Sequence, residues 1–252
     1  MRPWPFLLLM TGCSPTAPPP APPKSPCHDE RFESTAFTVC EPGRGKIEIH
    51  SGYRSFAALQ AALGERAGNV AFAMNAGMFD DAGKPVGLMV EKGREVHAIN
   101  RRKGFGNFHL MPNGVFLVRD NGAVEAVTSD RVGPTPTIEY ATQSGPMLLI
   151  GGQMNPRIDR DGASHFVRNA VGIDYKGGAH FVISLDAVSF GKLARFMRER
   201  VGVRDALYFD GSVSSLWDPV DNRMDAFADL GPMVVVFKPA ESGRRRATRA
   251  TP

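Results

Sequence analysis

Cysteine is scarce in this sequence of 252 residues, which has three, at Cys13, Cys27 and Cys40. No histidine accompanies them in a tight motif, so neither a zinc cluster nor a cysteine nucleophile is indicated. The sequence also lacks an HExxH pair, a Gly-x-Ser-x-Gly elbow and a Walker-type glycine loop. These are the signatures of zinc proteases, serine hydrolases and many nucleotide-binding enzymes. We therefore expect no metal and no cofactor.

Long apolar runs are absent as well, and the run at residues 4–10 is too short for a membrane span of about 20 residues. Arg2 precedes this run and Thr11-Gly12-Cys13 follows it, which is the order of a signal peptide. Met-Thr-Gly-Cys resembles a bacterial lipobox, so residues 1–12 are predicted to be removed and Cys13 to be lipidated. An ordinary secretory signal is the alternative. Because Ser14 and not an acidic residue follows the cysteine, we expect a periplasm-facing, lipid-anchored protein of the outer membrane.

Proline dominates residues 13–26, which predicts a semi-rigid polyproline II linker between the anchor and a folded domain. A PxxP ligand for an SH3-like domain is the alternative. In an oxidising compartment, Cys27 and Cys40 are predicted to form a disulfide. Residues 239–252 are rich in arginine and have no apolar period, so we expect a basic disordered tail.

The net charge of +4 comes from the two ends of the chain. Residues 239–252 contribute +3 and residues 1–26 contribute +2, which leaves −1 for residues 27–238. A near-neutral body gives no reason to expect nucleic acid as a partner.

Residues 27–238 are one domain's worth of chain without repeats. Short apolar runs and hairpin signals such as Asp120-Asn121-Gly122 dominate it. Helical period appears twice, at residues 56–63 and 190–200, with Ser55 and Ser189 as possible N-caps. The pattern predicts a single α+β domain of largely antiparallel or mixed sheets with a few flanking helices.

Polar clusters stand at the ends of several apolar runs, where a rigid scaffold commonly presents functional side chains. Taken singly, each of them is also a common turn or loop. The clusters are Asn75-Ala76-Gly77-Met78-Phe79-Asp80, Gln143-Ser144-Gly145-Pro146, Arg168-Asn169-Ala170-Val171-Gly172 and Asp210-Gly211-Ser212-Val213-Ser214-Ser215.

Together, in this order and spacing, the clusters resemble the phosphodiester glycosidase domain. This is the family of the enzyme that uncovers mannose 6-phosphate on lysosomal proteins, and the sequence is similar to its bacterial branch. The resemblance covers Ala71 to Phe237. It rests on Met74-Asn75-Ala76-Gly77-Met78-Phe79, Pro85-Val86-Gly87-Leu88, Asn107-Phe108-His109, Pro112-Asn113-Gly114-Val115-Phe116, Thr142-Gln143-Ser144-Gly145-Pro146, Arg168-Asn169-Ala170-Val171-Gly172 and Tyr208-Phe209-Asp210-Gly211-Ser212-Val213-Ser214-Ser215. Ser212 and Val213 depart from a stretch that is richer in glycine in other members.

The resemblance implies a hydrolase that cleaves the glycosyl–phosphate bond of a sugar-1-phosphodiester, for example on envelope or exopolysaccharide. A departing phosphate, whose conjugate acid has a pKa of about 6, needs little protonation. One carboxylate, Asp210, and the planar fork of Arg168, as a phosphate ligand, are then the expected catalytic residues. The residues expected to bind substrate are Asn75, Gly77, Gln143, Ser144, Gly145, Asn169, Gly211, Ser214 and Ser215.

Two alternatives stay open in the sequence. Asp186 follows an apolar run and is either a second catalytic carboxylate or the cap of the helix that begins near Ser189. The whole domain is either a hydrolase or a non-catalytic lipoprotein that binds a glycan or phosphoglycan during polysaccharide assembly. A binder has no need to keep both Asp210 and Arg168.

Overall fold

The computed structural model describes residues 24–133 and 136–239. The predicted signal peptide, the lipidation site Cys13, most of the proline-rich linker and residues 240–252 of the predicted tail lie outside the described residues. Among those described, no helix is long and apolar enough to cross a membrane.

Strands make up most of the regular structure of the described residues, and two α-helices accompany them. The helices are α1 (Phe56–Leu63) and α2 (Phe190–Phe196). The strands are β1 (Cys27–Phe32), β2 (Thr35–Cys40), β3 (Lys46–His50), β4 (Val70–Asn75), β5 (Met89–Glu91), β6 (Arg94–His97), β7 (Gly114–Arg119), β8 (Val124–Thr128), β9 (Ile138–Ser144), β10 (Met147–Ile150), β11 (Gln153–Met154), β12 (Asn169–Asp174), β13 (Ala179–Ser184), β14 (Val203–Tyr208), β15 (Leu216–Asp218), β16 (Arg223–Met224) and β17 (Met233–Phe237).

The strands form three sheets. A seven-stranded sheet has the order β1-β2-β13-β12-β14-β10-β11, and two five-stranded sheets have the orders β16-β15-β4-β17-β3 and β6-β5-β9-β7-β8. Every strand pairing within these sheets is antiparallel. The hairpin predicted at Asp120-Asn121-Gly122 is confirmed between β7 and β8, as is the fold class of one α+β domain built on antiparallel sheets.

The three sheets pack against one another through buried aromatic rings. Phe181 of β13 packs edge-to-face on Phe72 of β4 at 5.5 Å and on Phe116 of β7 at 5.6 Å between ring centroids. Each ring comes from a different sheet and is 0% exposed. Buried aromatic pairs of this kind contribute about 0.5–1.5 kcal/mol beyond their area burial, so this contact fixes the mutual position of the sheets.

Both predicted helix caps are confirmed. The Ser55 hydroxyl accepts from the Ala58 N–H at 3.1 Å, and the Ser189 hydroxyl accepts from the Lys192 N–H at 3.1 Å. The second helix is shorter than predicted, because the α-helical turns end at Phe196 and a wider π-helical turn follows over Met197–Val201. Gly202 then ends the turn in the left-handed conformation, which glycine adopts at little cost.

A disulfide joins Cys27 to Cys40. The two residues face each other across the β1–β2 ladder, so the bond ties the beginning of the domain to an edge of the large sheet. A disulfide that closes a loop of this size raises the free energy of unfolding by about 3 kcal/mol, because it restricts the unfolded chain.

A buried charge cluster joins β3 to the neighbouring sheet. His50 lies between two carboxylates, with Nε2 3.2 Å from Glu48 and Nδ1 3.3 Å from Glu91. Burial disfavours the charged forms of both Glu48 and His50. Hydrogen bonds from His50, Arg66 and Lys46 nevertheless lower the pKa of Glu48 to about 2. The two carboxylates likewise outweigh burial and raise the pKa of His50.

This cluster makes stability depend on pH in a defined direction. Because the folded pKa of His50 is raised, its contribution is complete below the unfolded value near 6.5 and is lost as pH rises through the folded pKa. Glu48 contributes above 4.5, and its contribution is lost as pH falls toward 2. The cluster therefore stabilises the fold most between about pH 4.5 and pH 6.5, where both contributions are complete.

Replacement of His50 by Gln is expected to reduce the free energy of unfolding more at pH 6 than at pH 9, because the raised pKa of His50 makes its contribution complete when the imidazole is protonated. Urea denaturation at both pH values measures this difference. His97→Gln, at an exposed position of β6, is the matched control and should show no such pH dependence. Equal losses at pH 6 and pH 9 in His50→Gln would contradict the prediction.

Candidate active site

Strand ends from two sheets meet at one edge of the domain. β4 ends at Asn75, which pairs with Met233 at the start of β17. In the seven-stranded sheet, β12 begins at Asn169 beside the end of β14, where Ala170 pairs with Tyr208. The two ends are joined because the Asn169 side-chain amide donates to the Asn75 carbonyl at 2.8 Å.

Asn75 is the centre of a hydrogen-bonded group that we call the Asn75 network (Asn75, Asn169, Asp210, Ser214 and Ser215). Its Oδ1 accepts from the Asn169 side chain at 2.9 Å and from the Ser215 N–H at 2.8 Å. Its Nδ2 donates to the Asp210 carbonyl at 2.6 Å. Three of the network's contacts therefore converge on one side chain that is 1% exposed. A buried network with its partners in place holds its members rigidly.

The two serines of the Asn75 network fold the loop that carries Asp210. The Ser214 hydroxyl lies 3.0 Å from the Val167 carbonyl and 3.2 Å from Asn169 Oδ1. The Ser215 hydroxyl donates to the Val213 carbonyl at 2.8 Å. Asn75, Asn169, Ser214 and Ser215 were predicted to bind substrate, but they are buried and bonded to each other and to the backbone. In this structure they position the loop.

Asp210 is the network residue whose carboxylate remains partly exposed. It precedes a 3₁₀ turn over Gly211–Val213, and its side chain accepts from the Ser212 N–H at 3.3 Å. Its own N–H donates to the Ala76 carbonyl at 2.9 Å. Burial raises the pKa of Asp210, and the bonds from Ser212 offset this only in part. The carboxylate is therefore more basic than an ordinary aspartate, as suits a general base or a nucleophile.

Arg168 lies beside the Asn75 network and is 0% exposed. Its Nε donates to the Val188 carbonyl at 2.7 Å, and Nη1 donates to the Tyr208 hydroxyl at 3.1 Å. Nη2 donates to the carbonyl and hydroxyl of Ser164 at 3.0 and 3.1 Å. The guanidinium stacks on Phe190, 3.8 Å from the ring centroid.

No Asp or Glu of the described residues forms an ion pair with Arg168, and burial lowers the pKa of Arg168. Arg195, which is also deeply buried at 2% exposure, instead pairs with Glu33 at 2.7 Å and Asp161 at 3.2 Å. A buried charge without a counter-ion is expensive to maintain for stability alone. Arg168 is therefore a functional candidate on physical grounds.

The predicted role of Arg168 as a bidentate phosphate ligand needs correction. A fork contact requires free N–H groups on adjacent nitrogens. Here Nε, Nη1 and Nη2 all donate to protein acceptors, and the side chain is covered. Arg168 reaches the site through Tyr208 in this conformation.

Tyr208 is a site residue whose role was missed from the sequence. Its hydroxyl accepts from the guanidinium of Arg168 on one side and touches the Asp210 loop at Gly211 on the other. The contact with Gly211 is so close that a Cβ at that position would overlap the hydroxyl. Gly211 was predicted to contact the substrate. In the structure its lack of a side chain is needed so that the Asp210 loop can pack against Tyr208. The available signal was spacing, since residues two apart in an extended chain point to the same side, and Tyr208 is two residues before Asp210.

The predicted substrate-binding residues around Ser144 also pack internally. Gln143 accepts from the N–H groups of Leu88 and Asn100, each at 2.8 Å, and so holds two loop segments together. A Cβ on Gly77 would overlap the Thr142 hydroxyl, and one on Gly145 would lie 2.7 Å from the Asn113 Cβ. Ser144 is different, because its buried hydroxyl has no hydrogen-bond partner among the described residues.

Comparison with known proteins identifies the domain. The profile of the phosphodiester glycosidase family matches residues 68–237, which is more than half of the chain and includes the entire Asn75 network. The chain belongs to this family. The resemblance predicted from the motifs is thereby confirmed, and a hydrolase of the phosphodiester glycosidase family is the supported class.

Relatives of this phosphodiester glycosidase domain include YigE of Escherichia coli K12, which is 39% identical over 150 residues. That alignment covers 60% of this chain and 59% of YigE, so the chain spans less than two thirds of that relative. The catalytic domain of zebrafish N-acetylglucosamine-1-phosphodiester alpha-N-acetylglucosaminidase, auto-inhibited by its pro-peptide, is similar in structure. Its TM-score is 0.59 at 14% identity, over 85% of this chain and 82% of that one. A hypothetical protein from Synechocystis follows, with a TM-score of 0.51 at 14% identity over 84% and 61%. At these identities the structures share the fold.

Asp186 is the third predicted catalytic residue of this phosphodiester glycosidase domain. It is exposed in the turn after β13, and its carboxylate accepts from the Ala36 N–H at 3.4 Å. The alternative that it caps α2 is wrong, because Ser189 provides the cap. Asp186 shares no hydrogen bond with the described members of the Asn75 network. Its role as a second carboxylate stays a prediction.

Proposed function

We propose that this chain hydrolyses glycosyl phosphodiesters, breaking the bond between the anomeric carbon of a sugar and the phosphate oxygen. The observation that carries the proposal is the arrangement of Asp210. Its carboxylate has a raised pKa and stands on a buried network, and its loop packs at Gly211 against the Tyr208 hydroxyl, which accepts from the buried Arg168. Membership of the phosphodiester glycosidase family supports the same reaction.

One carboxylate is sufficient for this reaction because of the leaving group. Ordinary glycosidases need a protonated acid to assist an alkoxide-like leaving group. A departing phosphomonoester has a second pKa of about 6 and leaves without that help. Asp210 then acts on the other side of the anomeric carbon, either by attacking it or by accepting the proton of the attacking water. In both cases its negative charge stabilises the oxocarbenium-like transition state.

Arg168 acts at a distance in this proposal. Its charge lies behind Tyr208 and raises the positive potential where the phosphate would bind. An ion pair at 4 Å is worth about 4 kcal/mol at an effective dielectric near 20, and the longer path through Tyr208 reduces that value. The Tyr208 hydroxyl accepts from Arg168 and is itself buried, so this pair acts on the site through its charge and by supporting the Asp210 loop.

The setting of the reaction is part of the proposal. Lipidation at Cys13, followed by the proline-rich linker of residues 13–26, would place the domain on the periplasmic face of the outer membrane. Envelope or exopolysaccharide carrying sugar-1-phosphodiesters is the substrate within reach of such an anchor. The partners would be that glycan and the membrane.

A direct test uses the purified full chain and a panel of methyl phosphodiesters of sugar 1-phosphates, beginning with N-acetylglucosamine. Release of the free sugar together with methyl phosphate is the expected result, and mass spectrometry detects both products. Saturable binding of every ester by calorimetry without release of either product would contradict hydrolysis. That result would favour the non-catalytic glycan-binding alternative.

A further inference from the structure

Phe166 is an exposed aromatic residue next to a buried charge. Its side chain is 56% exposed, whereas Arg168, two residues later, is 0% exposed. The Phe166 backbone is fixed by two hydrogen bonds with Val188, at 3.3 and 2.8 Å. Its ring centroid lies 5.4 Å from the guanidinium carbon of Arg168. The ring is thus held in a defined place at the surface.

The exposed ring is continuous with the candidate active site. The carbonyl of Val167, the next residue, lies 3.0 Å from the Ser214 hydroxyl in the loop that carries Asp210. Tyr208 and Phe166 also contact the same guanidinium. Phe166 and Asp210 therefore stand on neighbouring loops that are tied together.

The neighbouring exposed side chains do not surround this ring. Successive side chains of an extended segment point to opposite faces, so Val167 faces away from Phe166 and Arg168. Asp186 accepts from the Ala36 N–H, on the side of β13 away from Phe166. The Phe166 ring is therefore a single flat apolar surface beside the buried guanidinium, which suits one face of a small amphipathic ligand better than a lipid tail or an apolar protein face.

We infer that Phe166 is the platform on which the sugar ring of the substrate stacks. A pyranose presents C–H groups on its faces and hydroxyl groups at its rim, and its C–H face matches a flat aromatic surface. The sugar would lie on Phe166 with its anomeric carbon toward Asp210. This inference rests on the proposed function and adds the residue that selects a cyclic sugar.

The test compares Phe166→Ala and Phe166→Trp with the wild-type full chain, using the methyl phosphodiester of N-acetylglucosamine 1-phosphate. KM should rise by about tenfold in Phe166→Ala, given the strength of aromatic stacking, while kcat stays within about twofold. Phe166→Trp should restore KM. Phe227→Ala is the matched control, because Phe227 is 83% exposed in another loop, and its KM should match that of the wild type.

Several outcomes would overturn the inference without touching the proposed function. One is an active Phe166→Ala with unchanged KM; another is a loss of kcat that parallels a fall in melting temperature and is not rescued by Trp. Sedimentation equilibrium adds a third outcome. If the wild type is a dimer that Phe166→Ala dissociates while KM is unchanged, the surface is a self-association face.

Failure of the proposed function gives a different result. If the wild type binds the ester but releases nothing, the proposed function fails, and the affinity of Phe166→Ala by calorimetry still decides the stacking role. If the wild type neither binds nor hydrolyses it, both fail.

Discussion

Asp210→Asn is expected to lower kcat by about 10³-fold or more while the affinity for a sugar-1-phosphodiester changes only a few fold. Asn keeps the shape of the side chain and can still accept from the Ser212 N–H, but it removes the charge that favours a cationic transition state. Single-turnover kinetics and calorimetric affinity measure the two effects separately. Asp120→Asn, in the exposed turn between β7 and β8, is the matched control and should retain wild-type turnover.

The same substitution has a second expected consequence. Burial raises the pKa of Asp210, so the folded state binds its proton more tightly than the unfolded state does. The ionised carboxylate is therefore destabilising at neutral pH, and Asp210→Asn should keep or raise the melting temperature at pH 7. In the wild type, kcat/KM should fall with decreasing pH at a value above the usual aspartate pKa near 3.9. Full activity in Asp210→Asn would refute its role and direct attention to Asp186.

Arg168→Met is expected to reduce kcat/KM by about a hundredfold and to lower the free energy of unfolding by about 3 kcal/mol. Methionine fills much of the volume but removes the charge and leaves the acceptors on Val188, Ser164 and Tyr208 without their donor. The loss should appear in both KM and kcat, because the positive potential holds the phosphate of the bound substrate and stabilises it further as negative charge accumulates on the departing phosphate. Arg168→Lys keeps the charge and should recover part of the affinity.

A purely structural role for Arg168 would give a different result. Arg195→Met is the matched control, since Arg195 is also buried but has carboxylate partners. We expect it to destabilise the fold at least as much and to change kcat/KM only a few fold. If Arg168→Met and Arg195→Met lose stability equally and both keep wild-type kcat/KM per folded molecule, the electrostatic role of Arg168 is excluded.

The sequence determined the local features of this protein. Ser55 and Ser189 cap the helices because a hydroxyl before a helical period satisfies a free N–H, whatever the rest of the chain does. The hairpin at Asp120-Asn121-Gly122 forms because glycine there takes a positive φ of 83°. The motifs that contain Asn75 and Asp210 pointed to the family, since their order and spacing are properties of the sequence itself.

Some strands were not predicted because their patterns depend on their neighbours. β9 reads Ile-Glu-Tyr-Ala-Thr-Gln-Ser, and its polar residues Thr142, Gln143 and Ser144 are all buried. Both faces of β9 are buried except at Glu139, so the strand has no solvent face that would produce regular alternation. Its polar side chains mark contacts with distant loops, which the local sequence does not contain.

Only the tertiary structure decided which polar residues face a ligand and which hold the site together. Asn75, Asn169 and Asp210 stood out equally in the sequence, yet two are buried in hydrogen bonds and one keeps an accessible carboxylate. Arg168 suggested a phosphate fork until the aromatic rings and carbonyls around it left no such fork free. The physical reason is that exposure, pKa and hydrogen-bond partners are set by groups far apart in the chain. Residue type and spacing fix which chemistry is possible, and packing fixes which atoms can perform it.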